Sequence, residues 1–347
     1  MKNRPVQRAT LSDVAKLAGV SLGSASRALS VPDQVKARTL EQVNRAVAQL
    51  GYVRNGAAQA LASRKTRTIA ALYPTLKNPV YANSTDALQQ TLWTLGYQLL
   101  VASHEYDARR EVTVMRAIVE RGIDGVILVG SDHDEGVFTL LRQRNLPYVL
   151  TWSTDETRYP HCVGFSNYDA AYQMAKFVIT KGHRDIALCG GGTQHNERAR
   201  TRAAGTLAAM AESGLTIPPN WIIEQPFSFE GGRAAVRQLW SGSRKPTALI
   251  CGTDLQAIGA LQECQLRGIE VPLDLSISGF DDIEMASVTT PPLTTVRVPI
   301  AEIGVRAAKK IVALIEGGDV AAEDPLVAAV IERGSISCPR KAKVGRR

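Results

Sequence analysis

The spacing of apolar residues changes once along the chain, near Thr68. Before this point, Leu11, Val14, Ala15 and Ala18 recur at intervals typical of one face of a short helix. Beyond it, apolar residues form short continuous runs that are separated by longer amphipathic stretches. Such alternation is typical of buried parallel strands joined by crossover helices. The pattern therefore predicts a small all-α segment followed by a larger α/β segment.

The helical segment carries local signals for helix starts and stops. Thr10 and Asp13 have the spacing of a capping box at the start of the first helix, and Gly19 is suited to end it. Ser21 can cap a second helix that runs to about Leu29. A third helix, ended by a glycine, has an apolar face formed by Leu40, Val43, Val47 and Leu50. The first two helices form a helix-turn-helix, which places its second helix in the major groove of DNA.

The predicted strands of the α/β segment fall into two groups. The first group comprises Ile69–Tyr73, Gln98–Val101, Gly125–Val129 and Pro147–Leu150, with helices at Asn83–Leu95, Arg109–Arg121 and Glu135–Arg144. The second comprises Asp185–Cys189, Thr247–Cys251 and Leu275–Phe280, with helices around Ala199–Ser213, Gly231–Trp240 and Leu255–Arg267. Two such groups predict two doubly wound parallel-sheet lobes. A ligand would bind in the cleft between them, beyond the carboxyl ends of the strands.

Positive charge is concentrated in the helical segment. Residues 1–67 carry twelve Lys or Arg side chains against three acidic ones, whereas the remaining residues carry 29 basic and 30 acidic side chains. A generally basic protein would spread this excess evenly. A basic segment joined to a nearly neutral body is typical of a part that neutralises DNA phosphates, attached to a part that senses something else.

Composition and motifs disfavour several other classes of protein. No apolar run approaches the roughly 20 residues that cross a bilayer, and the first residues do not resemble a signal peptide, so we expect a cytoplasmic protein without a membrane partner. The five cysteines are widely spaced without a Cys-x-x-Cys pair, which favours buried apolar roles over zinc or disulfides. No nucleophile elbow, metal cluster or dinucleotide fingerprint is present, and Gly190-Gly191-Gly192 lacks the Lys-Ser/Thr of a phosphate loop. We therefore expect neither an enzyme nor a cofactor.

Several motifs together resemble the LacI family of bacterial transcriptional repressors. They are DVAKLAGVS at 13–21 with Ser26-Arg27, the Leu50-Gly51-Tyr52 helix end, and Gly279-Phe280-Asp281-Asp282 followed by Pro291-Pro292-Leu293-Thr294-Thr295-Val296. The resemblance covers nearly the whole chain. It implies a homodimer with a DNA-binding head, a hinge helix and a periplasmic-binding-protein-like core that senses a small molecule. The expected DNA partner is a near-palindromic double-stranded operator.

The resemblance also implies a division of the chain. We expect a helix-turn-helix head over 1–54, a hinge helix and linker over 55–67, an effector-binding core over 68–340 and a basic tail over 341–347. Within the core, an amino-terminal lobe is expected over about 68–163 and 294–322, and a carboxyl-terminal lobe over about 164–293 and 323–340. The tail has no leucine heptads, so nothing supports tetramerisation through it.

The expected DNA contacts centre on the second helix. It begins with Leu22 and Gly23, where the family places its main operator-discriminating pair. Leu22 can contact a thymine methyl group and Gly23 allows close approach, while Arg27 can bind a guanine through two hydrogen bonds or, alternatively, contact a phosphate. Ser21, Ser26 and Thr39 suit contacts to DNA phosphates. The resemblance also places Thr10, Leu11, Tyr52 and Asn55 where family members contact DNA, mostly its backbone, and Ala58 is a further expected DNA contact.

The hinge segment is alanine-rich and helix-prone over 55–63, but it is too short to be stable alone in water. The resemblance places Leu61 where family members insert a leucine into a central minor-groove step and kink the duplex. The alternative is that Leu61 packs within the linker. Arg54 replaces the proline that the family usually has before Asn55, and Gly56 lowers helix propensity. We therefore expect a hinge helix that is weak without DNA and sensitive to the state of the core.

The residues expected to bind the effector are Tyr81, Trp152, Arg198, Arg202, Phe227, Thr253 and Asp281. Asp281 follows a predicted strand and can accept hydrogen bonds from two sugar hydroxyls, whereas Asp282 is better suited to cap a helix. Arg198 and Arg202 are four residues apart and can share a helix face that holds a carboxylate, although Arg198 can also pair with a neighbouring acid. The aromatic rings can stack on the CH faces of a sugar. The effector set is not the family's usual one, because Thr253 replaces a common Asn and Ser166 an Asp.

We therefore predict an operator-binding transcriptional repressor whose DNA affinity is set by a small carbohydrate or sugar acid. One alternative is a member of the same family that needs a corepressor or recognises a non-sugar effector. A sugar-binding protein without a DNA function is a second alternative, which the basic head disfavours.

Overall fold

The computed structural model describes residues 9–54, 56, 60, 65–154, 159–318 and 324–340. The chain forms two compact units, Met1–Thr66 and Arg67–Arg347. None of the helices within the described ranges combines the length and the apolar character that a bilayer crossing requires.

The first unit contains a small helical head. Its helices are α1 (Leu11–Ala18), α2 (Leu22–Ser30) and α3 (Ala37–Leu50), with a 3₁₀ turn at Pro32–Gln34 between α2 and α3. A compact apolar core joins the three helices and is formed by Val14, Ala15, Ala18, Ala25, Ala28, Val43 and Ala46. The predicted helix-turn-helix is therefore confirmed.

Local chemistry sets the ends of these helices as predicted. The Thr10 N–H donates to the Asp13 carboxylate at 2.8 Å, and the Asp13 N–H donates back to the Thr10 hydroxyl at 3.3 Å. Gly19 and Gly51 end α1 and α3 with φ angles of 66° and 57°, in the left-handed region that favours glycine. Ser21 caps α2 with its hydroxyl.

The second unit is built on two parallel sheets. The first sheet has the order β2-β1-β3-β4-β5, with β1 (Thr68–Tyr73), β2 (Gln98–Ser103), β3 (Gly125–Val129), β4 (Tyr148–Thr151) and β5 (Cys162–Val163). The second sheet has the order β7-β6-β8-β9, with β6 (Ile186–Gly190), β7 (Ile222–Glu224), β8 (Ala248–Cys251) and β9 (Ser276–Ser278). An antiparallel pair completes the set: β10 (Thr295–Arg297) and β11 (Ala329–Ile331). We call the parts built on the two sheets the first and second lobes.

Helices alternate with these strands. They are α4 (Pro79–Thr94), α5 (Ala108–Glu120), α6 (Glu135–Gln143), α7 (Asn167–Thr180), α8 (Glu197–Glu212), α9 (Phe229–Ser241), α10 (Asp254–Arg267), α11 (Glu284–Val288) and α12 (Ile300–Ile315). Helix α12 packs against α4 and the first sheet, although it follows the whole second sheet in sequence. The two doubly wound lobes are therefore confirmed, whereas the residue boundaries given above for the lobes remain a prediction.

Some elements differ from the predicted ones. Helix α4 begins at Pro79 rather than Asn83, because the Asn78 side chain caps it by accepting from the Val80 N–H at 3.1 Å. Proline suits the first helical position since its missing N–H would have no partner there. Helices α7, α11 and α12 and strands β5, β7, β10 and β11 have no counterpart among the predicted elements.

The cysteines are mostly small core residues. Cys162, Cys189, Cys251 and Cys264 are buried as expected, whereas Cys338 is exposed. The described ranges contain no group of three or more His, Cys, Asp or Glu side chains that could hold a metal ion.

Candidate ligand cleft and DNA-binding surface

A small cavity between the two lobes brings the predicted effector residues together. Its lining includes Tyr81, Trp152, Arg198, Arg202, Phe227, Thr253 and Asp281, together with Asn78, Tyr106 and Asn196. Tyr106, Trp152 and Asp281 follow strand ends of the two sheets and have φ angles of 59°, 65° and 119°. Residues with side chains rarely adopt such angles, and strained backbone of this kind clusters at ligand sites.

The cavity is small. Its volume is about 20 Å³, which is room for roughly one water, whereas ligand pockets typically measure about 300–1,000 Å³. A larger, more polar cavity of about 300 Å³ adjoins it, and Trp152 and Arg198 line both. A ligand larger than water can therefore enter the inner cavity only if these side chains move or the lobes separate.

Arg198 is a buried cation without a hydrogen bond on Nη1 to any part of the described chain. Its guanidinium lies against Gly130, where a Cβ atom would be 2.1 Å from Nη1. Within the described ranges, the one acid that pairs with it is Glu197, whose Oε1 is 4.0 Å away and already accepts from the Ser131 N–H at 2.8 Å. Burial lowers the pKa of Arg198, but Glu197 and nearby tyrosines more than offset this and raise it above its ordinary value. Arg198 therefore stays charged, and its Nη1 has no close acceptor among the described residues.

Arg202 is held firmly by the second lobe. Its Nε donates to Asn167 Oδ1 and its Nη1 to the Gly252 carbonyl, both at 2.8 Å. The guanidinium stacks on the Phe280 ring at 3.7 Å and lies 3.8 Å from Asp281 Oδ1. Burial raises the pKa of Asp281 to about 7, although Arg202 lowers it in part. The structure thus holds one fixed cation beside a carboxyl group that titrates near neutrality.

Aromatic rings form the remaining walls. Tyr81 and Trp152 meet edge to face with ring centroids 5.4 Å apart, and Tyr106 lies 6.0 Å from Phe227. Phe227 lies on Gly191, because a Cβ there would be 2.0 Å from its ring. The buried Trp152 Nε1 has no hydrogen-bond partner among the described residues. An apolar ligand face can therefore stack here while Trp152 donates to a ligand oxygen.

Three expectations about polar residues need correction or refinement. Asp282 does not cap a helix, because its carboxylate accepts from Arg297 Nε at 2.7 Å and Arg333 Nη2 at 2.6 Å. Thr253 lines the cavity, but its hydroxyl accepts from the Gln256 N–H and caps α10. Ser166, which stands in place of the family's Asp, likewise caps α7.

Arg200 lies on a different face of α8 from Arg198 and Arg202, as helix geometry predicts. It pairs with Asp132 of the first lobe at 2.8 Å. Together with the bond from the Ser131 N–H to Glu197, this ion pair joins the start of α8 to the loop after β3. The two contacts bridge the two lobes.

The head presents the start of α2 to solvent. Leu22 is 53% exposed, and Gly23 and Arg27 are exposed beside it. Of the other expected contacts, Thr10 and Ser21 are exposed and serve as caps, whereas Leu11, Ser26, Thr39 and Tyr52 are half-buried. Asn55, Ala58 and Leu61 lie outside the described residues. DNA contact by these residues remains a prediction.

Sequence and structure comparisons agree with this organisation. Residues 10–55 match the family described as bacterial regulatory proteins, lacI family, and residues 175–336 match the periplasmic binding protein-like domain. The transcriptional repressor CytR of Escherichia coli K12 is 32% identical over 330 residues, which cover 94% of this chain and 96% of that protein. Transcription regulator GntR from Chromobacterium violaceum shares 35% identity and a TM-score of 0.72, covering 77% of this chain and 98% of that one. The lac repressor dimer bound to operator and the anti-inducer ONPF shares 25% identity and a TM-score of 0.85, covering 95% and 100%.

Proposed function

Since this chain belongs to the LacI family of bacterial transcriptional repressors, with a DNA-binding and a ligand-binding domain, we propose that it acts as a homodimer on a near-palindromic operator. Its relatives are repressors and not enzymes. We propose further that a small carbohydrate or sugar acid, bound between the lobes, sets its operator affinity. The proposal of a carbohydrate or sugar-acid effector rests on the convergence of aromatic rings, Arg198, Arg202 and Asp281 on one cavity.

Arg198 favours a sugar acid over a neutral sugar. Nη1 of this buried guanidinium has no hydrogen-bond acceptor among the described residues, and carboxylates bind guanidinium groups through charge-assisted hydrogen bonds. The unpartnered Trp152 Nε1 supplies a further donor beside it. Asp281 and the rings then suit the hydroxyl and CH faces of the same ligand.

The proposed mechanism is a shift between two lobe arrangements. A ligand that fills the inner cavity changes the contacts of Arg200 with Asp132 and of Glu197 with Ser131, which hold the lobes together. The new lobe angle alters the separation of the two hinge segments in the dimer. Short helices are only marginally stable alone, so the two hinge helices depend on packing against each other. The lobe angle would set that packing and, through it, the affinity for the operator.

The operator can be recovered by sequencing genomic fragments that the purified full-length protein retains at moderate salt. Enrichment of one near-palindromic site, in the absence or presence of a panel of sugars and sugar acids, is the expected result. The condition that gives enrichment also distinguishes a repressor released by its effector from one that needs a corepressor. Failure to enrich any site with the whole panel would contradict the operator-binding proposal.

Replacing Arg27 with alanine is expected to weaken operator binding by about 5- to 150-fold and to relax the preference at one base pair. A bidentate arginine–guanine contact is worth about 1–3 kcal/mol of discrimination. Arg45→Ala is a matched control, because Arg45 is an exposed arginine of the same head that pairs with Glu41. Competition with duplexes altered at single positions measures both effects. An Arg27→Ala protein that loses affinity equally for every altered duplex would indicate a phosphate contact instead.

Effector binding is expected to depend on pH through Asp281. Burial raises its pKa to about 7, well above the ordinary value of 3.8. The ionised carboxylate offers both oxygens as acceptors to two hydroxyls, whereas the protonated group turns one oxygen into a donor, so below about pH 7 we expect the group to lose a proton when the ligand binds. Affinity therefore rises with pH between about 6 and 7 and levels off above about 8.

Calorimetric titration across this range, in buffers of different ionisation enthalpy, measures affinity and proton release together. Asp281→Asn is expected to bind more weakly and to give a flat profile. A wild-type affinity that is flat or falls with rising pH would exclude this role for Asp281.

A further inference from the structure

The carboxyl end of the recognition helix α2 is held by a side chain that follows α3. Arg54 Nη1 donates to the Leu29 carbonyl at 3.0 Å, and its Nη2 donates to the Ser30 hydroxyl. The Ser30 hydroxyl in turn donates to the Ser26 carbonyl at 2.7 Å. One arginine thus connects the segment after α3 to the last turn of α2, which lies 25 residues earlier.

This contact suits both partners. The last carbonyl groups of a helix have no partner within the helix and carry a partial negative charge, so a cation there is favourable. The guanidinium also offers donors in a fixed fork, which allows Arg54 to bind the Leu29 carbonyl and the Ser30 hydroxyl at once. A lysine ammonium has no such fork and would hold the two acceptors less firmly.

The position of Arg54 gives the contact a consequence for DNA binding. A single peptide bond separates it from residue 55, where the predicted hinge begins. The clamp formed by Arg54, Leu29 and Ser30 therefore fixes where the chain leaves the head with respect to α2. We propose that Arg54 is a positioning residue for operator binding, which aligns the hinge segment with the recognition helix.

A direct phosphate contact by Arg54 is the competing account, and the salt dependence of affinity separates the two. Affinity for DNA falls as salt rises, and removing one phosphate contact makes the slope of log affinity against log salt less steep by about one. Removing a clamp within the protein weakens binding without changing that slope. The Ser30→Ala variant also distinguishes the two accounts. It weakens the clamp and leaves the charge of Arg54 in place, so it should weaken operator binding only if the clamp matters.

The experiment measures the affinity of full-length wild type, Arg54→Ala, Arg54→Lys, Ser30→Ala and the Arg54→Ala/Ser30→Ala double variant for the recovered operator duplex at several salt concentrations. Hydrogen bonds to charged groups lead us to expect a loss of about tenfold for Arg54→Ala, a smaller loss for Ser30→Ala and incomplete rescue by lysine. The double variant should be no weaker than Arg54→Ala, and the salt slope should match that of the wild type.

Arg45→Ala provides the control for loss of one exposed arginine from the head. Amide hydrogen exchange in α1 and α3 verifies that the variants remain folded. Wild-type binding to the duplex tests the proposed operator function separately, on which this inference rests. Unchanged affinity in Arg54→Ala, additive losses in the double variant, or a salt slope reduced by about one would each overturn the positioning role.

Discussion

Replacing Arg198 with methionine is expected to lower the affinity for a sugar-acid effector by about 100-fold, because it removes one partner of a buried, charge-assisted hydrogen bond. Methionine keeps much of the apolar stem but removes the guanidinium, whose Nη1 has no hydrogen-bond partner in the described chain. The free energy of unfolding should change little, because the cost of the unbonded Nη1 and the favourable effect of the nearby Glu197 oppose each other. Glu197 keeps its bond from the Ser131 N–H at 2.8 Å.

Titration calorimetry with a panel of sugars and sugar acids, together with thermal unfolding, measures both effects. Arg244→Met is the matched control, because Arg244 is an exposed arginine that pairs with Asp185 on the surface. Unchanged affinity for every bound ligand would contradict the role of Arg198 in anion recognition. A marked loss of stability would show instead that Arg198 serves the fold.

Replacing Leu61 with glycine is expected to weaken operator binding by about 100-fold, because unstacking the minor-groove step costs a few kcal/mol and the inserted side chain would no longer hold the kink open. Effector binding by the DNA-free protein should remain intact, since the cavity residues lie in the second compact unit. Leu61 lies outside the described residues, so this role rests on the family resemblance.

Ala60→Gly is the control for Leu61→Gly. It lowers helix propensity at the adjacent hinge position by about 1 kcal/mol and keeps the leucine, so a loss of only about fivefold is expected. Gel-shift titration with the recovered operator measures both variants. Equal losses in the two variants would show that the hinge backbone matters and the leucine side chain does not. Equal losses of operator and effector binding in Leu61→Gly would contradict the proposed separation of the two sites.

The sequence predicts the head well because helix caps depend on neighbouring residues only. Thr10, Asp13, Gly19 and Ser21 each lie within one helical turn of the end that they define. The orientation of Arg200 away from its neighbours is likewise a consequence of helix geometry alone. Residues whose place depends on local chemistry could thus be assigned before the structure.

Other features depend on tertiary packing. The sequence does not predict that Tyr106 lines the cavity. It reaches the cavity because both Glu105 and Tyr106 have positive φ angles in the loop that carries them. Strands β5 and β7 have only two and three residues, which is too short for a periodic pattern. The missing acceptor of Arg198 is visible only once its surroundings are known. Helix α7 is different, because its buried residues, including Ala170, recur at helical intervals that are visible in the sequence itself.

The most direct test of this account measures the coupling between the cleft and the operator in the full-length protein. Operator affinity is determined with and without the sugar acid or sugar that binds best, and affinity for that ligand is determined with and without operator. The account predicts that both affinities change in the same direction and by the same factor, typically about 5- to 150-fold, because coupling between two sites is reciprocal. A ligand that occupies the cleft, as shown by its loss in Arg198→Met, but leaves operator affinity unchanged would contradict it.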